Sequence, residues 1–408
     1  MALNLLRRNY QAWFSPPEIP EKKADALKFG ILGAAGIAPA ALINPAKTHA
    51  DVIVYCVAAR DPSRAEAYAK KHGIPVVKQT YQDILDDKEV DCVYIPLPNG
   101  LHGEWAIKAL RAGKHVLLEK PSVSNAAEAQ QLFRDPLLSA EQAPVLLEAF
   151  HYRFQPSWRL LLDQVDRDNI EHVETKVSVP GIIFKDDDIR FLYHLAGGTI
   201  MDLGTYAISA LREVAGEAEE CTKCDVQIMS EKEKNVDRCF RAEWKMKNGA
   251  TAVTSSDIKA NKFTLIPPQV TVKHKPVVVA DEALAEGQTK TRTRSIWMFN
   301  NIFPTIYHFI TVQDVFTIKD AEGKTIKQWT EKKNLSAYTW EEAGLSGQND
   351  KDYWVSYRHQ LEQFVNKVRG RDVVRWISGE DSIKQMEMID MAYVAAGLPL
   401  RPSGEFWS

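Results

Sequence analysis

The chain has 408 residues, with 51 Lys plus Arg against 54 Asp plus Glu and a formal net charge of -3. That length favours two or three domains, and a balance so close to neutrality supplies no basic field for nucleic acid or an anionic membrane. No run of about 18 apolar residues is present to span a bilayer, and five scattered cysteines, an odd count, argue for free thiols in a reducing compartment rather than a disulfide framework.

Residues 1–26 read as an N-terminal arm. Arg7 and Arg8 stand with no acid among Leu3, Leu5, Leu6, Trp13 and Phe14, faintly like a transit peptide, but the stretch is short, poor in serine and broken by Pro16, Pro17 and Pro20. The expectation is an arm packed on the body of a cytoplasmic protein.

Residues 27–33 read as a short buried strand ending in Gly33, after which Ala34, Ala35, Gly36, Ile37 and Ala38 open a helix. A strand, a turn of small residues and a helix N-terminus together present unpaired N–H groups to a pyrophosphate. Ala35 occupies a position usually held by glycine, so no clean G-x-G-x-x-G exists, and small residues in such a turn also arise from packing alone. Residues 52–59 form the second predicted strand, followed at ribose-binding distance by Arg60 and Arg64. Two guanidinium groups suit a 2′-phosphate, which favours NADP over NAD, against the plainer reading of a surface turn at Arg60-Asp61-Pro62.

The alternation continues with a helix at 64–72, a strand at 74–77, a short helix at 81–85, a strand at 91–95 closed by Pro96-Leu97-Pro98-Asn99, and a helix at 102–112. Residues 116–121, Val-Leu-Leu-Glu-Lys-Pro, then form an apolar strand that delivers Glu119 and Lys120 to the carboxyl edge of the sheet. Pro121 ends the strand, and a cis Lys-Pro bond is expected there, turning Lys120 towards a cofactor. A solvated Glu-Lys pair capping a strand is the bland alternative. Pro98, Asn99 and His102 lie at the same edge as Gly33. A sixth strand at 144–149 completes a doubly wound parallel sheet over 27–150.

From residue 171 the pattern changes to successive strands at 173–179, 222–229, 238–246, 250–258, 263–279, 293–301 and 312–319. Short links between them predict an α+β unit over 151–408 with a large open, mostly antiparallel sheet. The uncovered face of that sheet suggests a homodimer. Between its first two strands, Gly197 and Gly198 lead to Asp202, Tyr206 and Ser209 at helical spacing. A tyrosine facing a lysine makes a proton acceptor, because an ammonium lowers a phenol pKa that is otherwise near ~10; a core aromatic on a helix is the competing reading. No metal is expected: Cys221 and Cys224 form a lone C-x-x-C with only Cys239 after it, and Asp186, Asp187 and Asp188 have no further carboxylates at binding-loop spacing. The tail, 353–369 and 378–397, reads as two amphipathic helices, with Tyr357, Leu361, Phe364 and Val368 on one structural stripe.

Taken in order, Gly33-x-x-Gly36-Ile37-Ala38, Glu119-Lys120-Pro121, Glu148-Ala149 before Arg153-Phe154-x-Pro156, and Gly197-Gly198-x-x-x-Asp202-x-Gly204-x-Tyr206 carry a family resemblance. From Leu27 onward the chain resembles the glucose-fructose oxidoreductase, inositol dehydrogenase and MocA family. Within it the chain is most similar to the branch of dihydrodiol dehydrogenases and NADP-dependent D-xylose dehydrogenases, since Tyr206 stands where inositol-type members carry histidine. The resemblance implies a Rossmann domain followed by the open-sheet domain, and an oxidoreductase moving hydride between NADP and a CH–OH carbon of a sugar or vicinal diol. Tyr206 is then the proton acceptor, assisted by Lys120 with Asp202 nearby. It implies a cofactor set of Gly33, Ala35, Gly36, Ile37, Ala59, Arg60, Arg64, Leu97, Pro98, Asn99, His102, Glu119, Lys120 and Arg153. The expected pocket lining is His151, Tyr152, Phe184, Arg190 and Tyr193. A catalytically silent, nucleotide-binding regulator of the same fold is the alternative, and the retention of both Lys120 and Tyr206 argues against it.

Overall fold

A computed structural model describes residues 2–263 and 265–407 of the protein. The arm forms a helix, α1 (Ala2–Trp13), that packs on the body as expected. The Arg8 guanidinium lies 3.4 Å from the Tyr338 ring centroid and its Nε donates to the Thr305 carbonyl at 3.1 Å, while Asn9 donates to the Ile306 carbonyl at 2.9 Å.

Six parallel strands follow: β1 (Leu27–Leu32), β2 (Val52–Ala58), β3 (Val76–Val77), β4 (Cys92–Ile95), β5 (His115–Leu118) and β6 (Leu146–Glu148), in the order β3-β2-β1-β4-β5-β6. Helices α2 (Asn44–Lys47), α3 (Pro62–His72), α4 (Tyr81–Leu85), α5 (His102–Arg111) and α6 (Ala126–Phe133) connect them. Both sheet faces are covered, so the central strands read as continuous apolar runs: Phe29, Ile31, Val57, Val93 and Leu117 have no exposed surface. Local signals set the helix ends. Asp61 accepts from the Ser63 N–H at 3.0 Å to start α3, Gly73 ends it in the left-handed region at φ 70, and Thr80 and Asp83 form a reciprocal box at the start of α4. The strand order reverses between β1 and β4, which opens a crevice at their carboxyl ends.

The second sheet contains β7 (Ile170–Pro180), β8 (Ala218–Ile228), β9 (Asp237–Met246), β10 (Thr251–Ala260), β11 (Gln269–His274), β12 (Val277–Val278), β13 (Thr289–Phe299), β14 (Phe309–Lys319) and β15 (Thr325–Leu335). Its order is β15-β14-β13-β11-β7-β10-β9-β8, with β12 beside β13, and among the described residues only its β7–β10 pair is parallel. Helices α7 (Pro156–Leu162), α8 (Thr205–Ala215), α9 (Ser356–Val368) and α10 (Gly379–Ala395) complete the chain's longer elements. On one face of the sheet α8 packs on β7, where Val173 and Val177 are buried and the Thr175 hydroxyl donates to the Ala207 carbonyl at 2.9 Å. The other face carries an aromatic cluster: Phe299 stacks on Phe309 at 5.4 Å, and Trp297, 37% exposed, meets Phe309 edge-on at 5.1 Å.

Three elements depart from expectation. The strand predicted over 263–279 is two strands, β11 and β12, because Pro267, Pro268 and Pro276 cannot donate ladder hydrogen bonds; Thr264 lies outside the described residues. β15 was not foreseen, since it is an edge strand exposed along most of its length and so shows no apolar alternation. The helix expected from Ala34 begins later, as a π turn over Pro39–Ile43 that runs into α2.

A second π turn, Ile200–Gly204, leads into α8 and is anchored from below. Asp237, with no exposed side-chain surface, accepts from the Ile200 N–H at 2.6 Å, the Arg401 guanidinium at 2.8 Å and the Tyr393 hydroxyl at 3.1 Å. Gly198 precedes this turn at φ 131, and a Cβ there would come within 2.2 Å of Asp237 Oδ1, so glycine is required by both conformation and space. Among the described residues no helix is long and apolar enough to cross a membrane, and no group of three or more His, Cys, Asp or Glu side chains is arranged to hold a metal ion.

Candidate active site

Lys120 leaves β5 through a cis peptide bond to Pro121 and reaches the turn that begins α8. Its ammonium donates to the Asp202 carbonyl at 2.9 Å and to Asp202 Oδ1 at 3.0 Å, and lies 4.7 Å from the Tyr206 ring centroid. Two side chains from different sheets therefore meet. Asp202 also accepts from Arg190 Nε at 3.2 Å, and Arg190 in turn holds Asp188 at 2.9 Å. Burial alone would raise the Asp202 carboxyl, but Lys120 and Arg190 outweigh it and hold the carboxyl below its ordinary range. On the other side Glu119 accepts from the Tyr94 hydroxyl at 2.7 Å, and burial pushes its carboxyl up.

Tyr206 differs from expectation in its charge state. Burial, followed by Tyr357, Glu119, Asp202 and Tyr152, pushes its phenol well above the ordinary value. The Lys120 ammonium lies 4.7 Å from the ring centroid and is already paired with Asp202, and burial is the largest influence on the phenol. The hydroxyl instead meets His151 Nε2 at 3.1 Å and interacts with the Tyr357 phenol.

The glycine turn fits a pyrophosphate. Gly33 sits at φ 104, and a Cβ on Gly36 would meet nothing within 4 Å. Among the described residues the N–H groups of Gly36 and Ile37 have no protein acceptor, while Ala35 N–H is used by the Gly33 carbonyl. Arg64 donates to the Ala34 carbonyl at 3.1 Å, which brings one guanidinium to the turn, and Arg60 is exposed just beyond the buried Ala59. Leu97 packs 3.2 Å from the position of a Gly33 Cβ, Pro98 follows it, and Asn99 crosses to the second half of the chain, donating to the Ala196 carbonyl at 3.1 Å.

Three expected ligand contacts are instead committed inside the protein. The two ring nitrogens of His102 lie 2.7 Å from the Pro121 carbonyl and 2.8 Å from the Leu97 carbonyl, between the two loops flanking the crevice; burial lowers its pKa to about 4, and a neutral ring donates to one of these carbonyls at a time. Arg153 is buried, donating to Glu213 at 2.6 Å and pairing with Asp381. Tyr152 is wholly buried against Trp158, its hydroxyl 2.8 Å from Ser209 Oγ. Of the expected pocket residues, Phe184 stacks under Arg190 with the guanidinium 4.4 Å from its centroid, Tyr193 donates to the Leu400 carbonyl at 2.6 Å, and His151 touches Tyr206. Tyr357 and Ser356, at the start of α9, also reach this cluster. The available signal for Tyr357 was a hydroxyl on an otherwise apolar stripe.

A parallel sheet with a glycine turn at its switch point thus brings Lys120, from the end of β5, against Asp202 and Tyr206 of the turn and helix α8, at the edge where open α/β sheets bind ligands. Residues 27–136 match the model of the oxidoreductase family with an NAD-binding Rossmann fold, GFO_IDH_MocA. A D-xylose 1-dehydrogenase (NADP(+)) of Haloferax volcanii is 41% identical over 193 residues, 47% of this chain and 58% of the relative. The trans-1,2-dihydrobenzene-1,2-diol dehydrogenase of Mus musculus is 30% identical over 192 residues, 47% of this chain and 57% of the relative. The chain thus spans little more than half the length of these curated relatives. In fold it is similar to the 3-ketoreductase KijD10 of Actinomadura kijaniata, solved with NADP and TDP-benzene. The TM-score is 0.68 at 23% identity, covering 91% of this chain and 98% of that one.

Proposed function

We propose that the protein is an NADP-dependent oxidoreductase acting on a CH–OH carbon of a sugar or vicinal diol. The observation that carries this reading is the Lys120 ammonium held between Asp202 and the Tyr206 ring, at the same carboxyl edge of the sheet as the glycine turn. NADP, when bound, supplies the hydride acceptor or donor. The turn at Gly33, Gly36 and Ile37 would hold its pyrophosphate, and Arg60 and Arg64 its 2′-phosphate. Lys120, fixed by Asp202, directs a positive charge at the substrate oxygen and stabilises negative charge developing there. Tyr206 exchanges the proton of that oxygen. The NADP assignment has support from the named D-xylose dehydrogenase, and the sugar or diol from both curated relatives.

Purified protein given NADP with a panel of aldoses and vicinal diols is expected to produce reduced nicotinamide, read by its absorbance. Retained NADP binding with silence across the panel would favour the regulator. Arg60→Ala is expected to weaken NADP binding far more than NAD binding in a fluorescence titration, because only NADP carries the 2′-phosphate; equal weakening of both would remove the assignment.

The reading includes a homodimer through the aromatic face around Trp297, Phe299 and Phe309. Sedimentation velocity is expected to give twice the chain mass, and a persistent monomer would exclude the pairing. A cytoplasmic setting accords with five cysteines that are all free.

A further inference from the structure

A neutral phenol that accepts a proton has to surrender its own. Tyr206 is only 6% exposed, and two side chains reach its hydroxyl. One is Tyr357, a second phenol that burial, then Glu119 and Asp202, push well above the ordinary value. The other is His151, whose Nε2 lies 3.1 Å from Tyr206 Oη and whose Nδ1 lies 2.7 Å from Ser356 Oγ. The imidazole is wholly buried and held in place, 4.0 Å from the Tyr357 ring and 5.9 Å from the Phe303 ring. Burial, then Lys120, lowers its pKa to about 3, so it does not hold a second proton at neutral pH. A proton arriving at Nε2 must therefore be matched by one leaving Nδ1, and a serine hydroxyl, both donor and acceptor, satisfies either tautomer.

We propose that His151 is a further catalytic residue, a tautomer-switching relay that passes the Tyr206 hydroxyl proton towards Ser356. The inference rests on the reading of Tyr206 as proton acceptor. In the oxidative direction the substrate O–H bond breaks as a new Tyr206 O–H forms, and the original Tyr206 proton moves to Nε2. The Nδ1 proton moves to Ser356 Oγ, whose own proton passes to water. Each broken bond to hydrogen is matched by one formed, and one proton in total leaves the substrate oxygen for solvent. The electron pair of the substrate C–H bond leaves with the hydride to oxidised NADP, and the C–O bond becomes a carbonyl. The imidazole remains neutral throughout, and the reverse sequence delivers a proton for reduction.

The first test needs no substrate. In protein labelled with ¹⁵N-histidine, His151 is expected to be neutral at pH 7 with both tautomers populated, and Ser356→Ala and Tyr206→Phe are each expected to shift that population. A doubly protonated ring, or a tautomer unmoved by both substitutions, would overturn the relay. The second test uses NADP and D-xylose. His151→Gln can hydrogen-bond Tyr206 but cannot switch tautomers, so it is expected to lower kcat roughly 10²-fold with little change in KM, to alter the pH profile and to lose the multi-proton solvent isotope effect. His151→Gln with the wild-type rate, pH profile and isotope effect, alongside an inactive Tyr206→Phe, refutes the relay and leaves the functional reading intact. No wild-type turnover of any panel substrate refutes the reading instead, and the nitrogen spectra still decide the coupling.

Discussion

Lys120→Ala is expected to reduce kcat by roughly 10²–10⁴-fold, the range spanned by a positioned proton-transfer or charge-stabilising group, while the protein stays folded. The ammonium makes two contacts with Asp202, at 2.9 and 3.0 Å, and sits 4.7 Å from the Tyr206 ring, so its removal takes the cation from the substrate-facing side of the cluster. It also leaves the buried Asp202 carboxylate with Arg190 as its remaining cationic partner. The direction of the pH dependence follows. A carboxyl held low in the folded state contributes stability above its unfolded pKa and loses that contribution as pH falls through the folded value. Without Lys120 the contribution shrinks, so the thermal stability deficit should be largest near neutrality and fade in acid. Turnover close to wild type would remove Lys120 from the mechanism, and circular dichroism will show whether a slow variant is merely unfolded.

Tyr206→Phe should cost a similar factor for a different reason. The ring that faces Lys120 remains, as do its edge contacts with Phe150 and Tyr152 at 6.0 Å, so packing is preserved and only the hydroxyl is lost. With no oxygen to exchange a proton, kcat is expected to fall roughly 10²–10⁴-fold, with NADP affinity unchanged by titration. A phenylalanine variant that still turns over at the wild-type rate would show that another group handles the proton.

The residues that short-range pattern places at the cleft were legible in the sequence as positions. Lys120 follows an apolar strand and precedes a proline, and Asp202 and Tyr206 sit four apart in one helical run. Their meeting required only that the strand end and the helix start share one crevice. Direction of facing was not legible. Arg153 looked like a cofactor contact but neutralises Glu213 and Asp381, and Tyr152 looked like a pocket residue but bonds Ser209 behind the site. Neighbouring positions on a 3₁₀ turn such as His151–Phe154 point in different directions, and nothing in composition says which one opens on the cleft. The charge state of Tyr206 was unreadable for a related reason. It depends first on how deeply the phenol is buried, which is set by elements remote in sequence.

β15 closes one margin of the large sheet, and its exposed side chains include Lys327 and Lys333 on one face and Lys332 on the other. A neighbouring molecule attempting to add a strand there would have to desolvate those ammonium groups and set them against its own backbone. Lateral growth into ribbons is thereby discouraged, which is compatible with the proposed pairing through the aromatic surface. Under that proposal, two copies meeting about a twofold axis would each present the same patch to the other, and such an isologous contact closes at a pair.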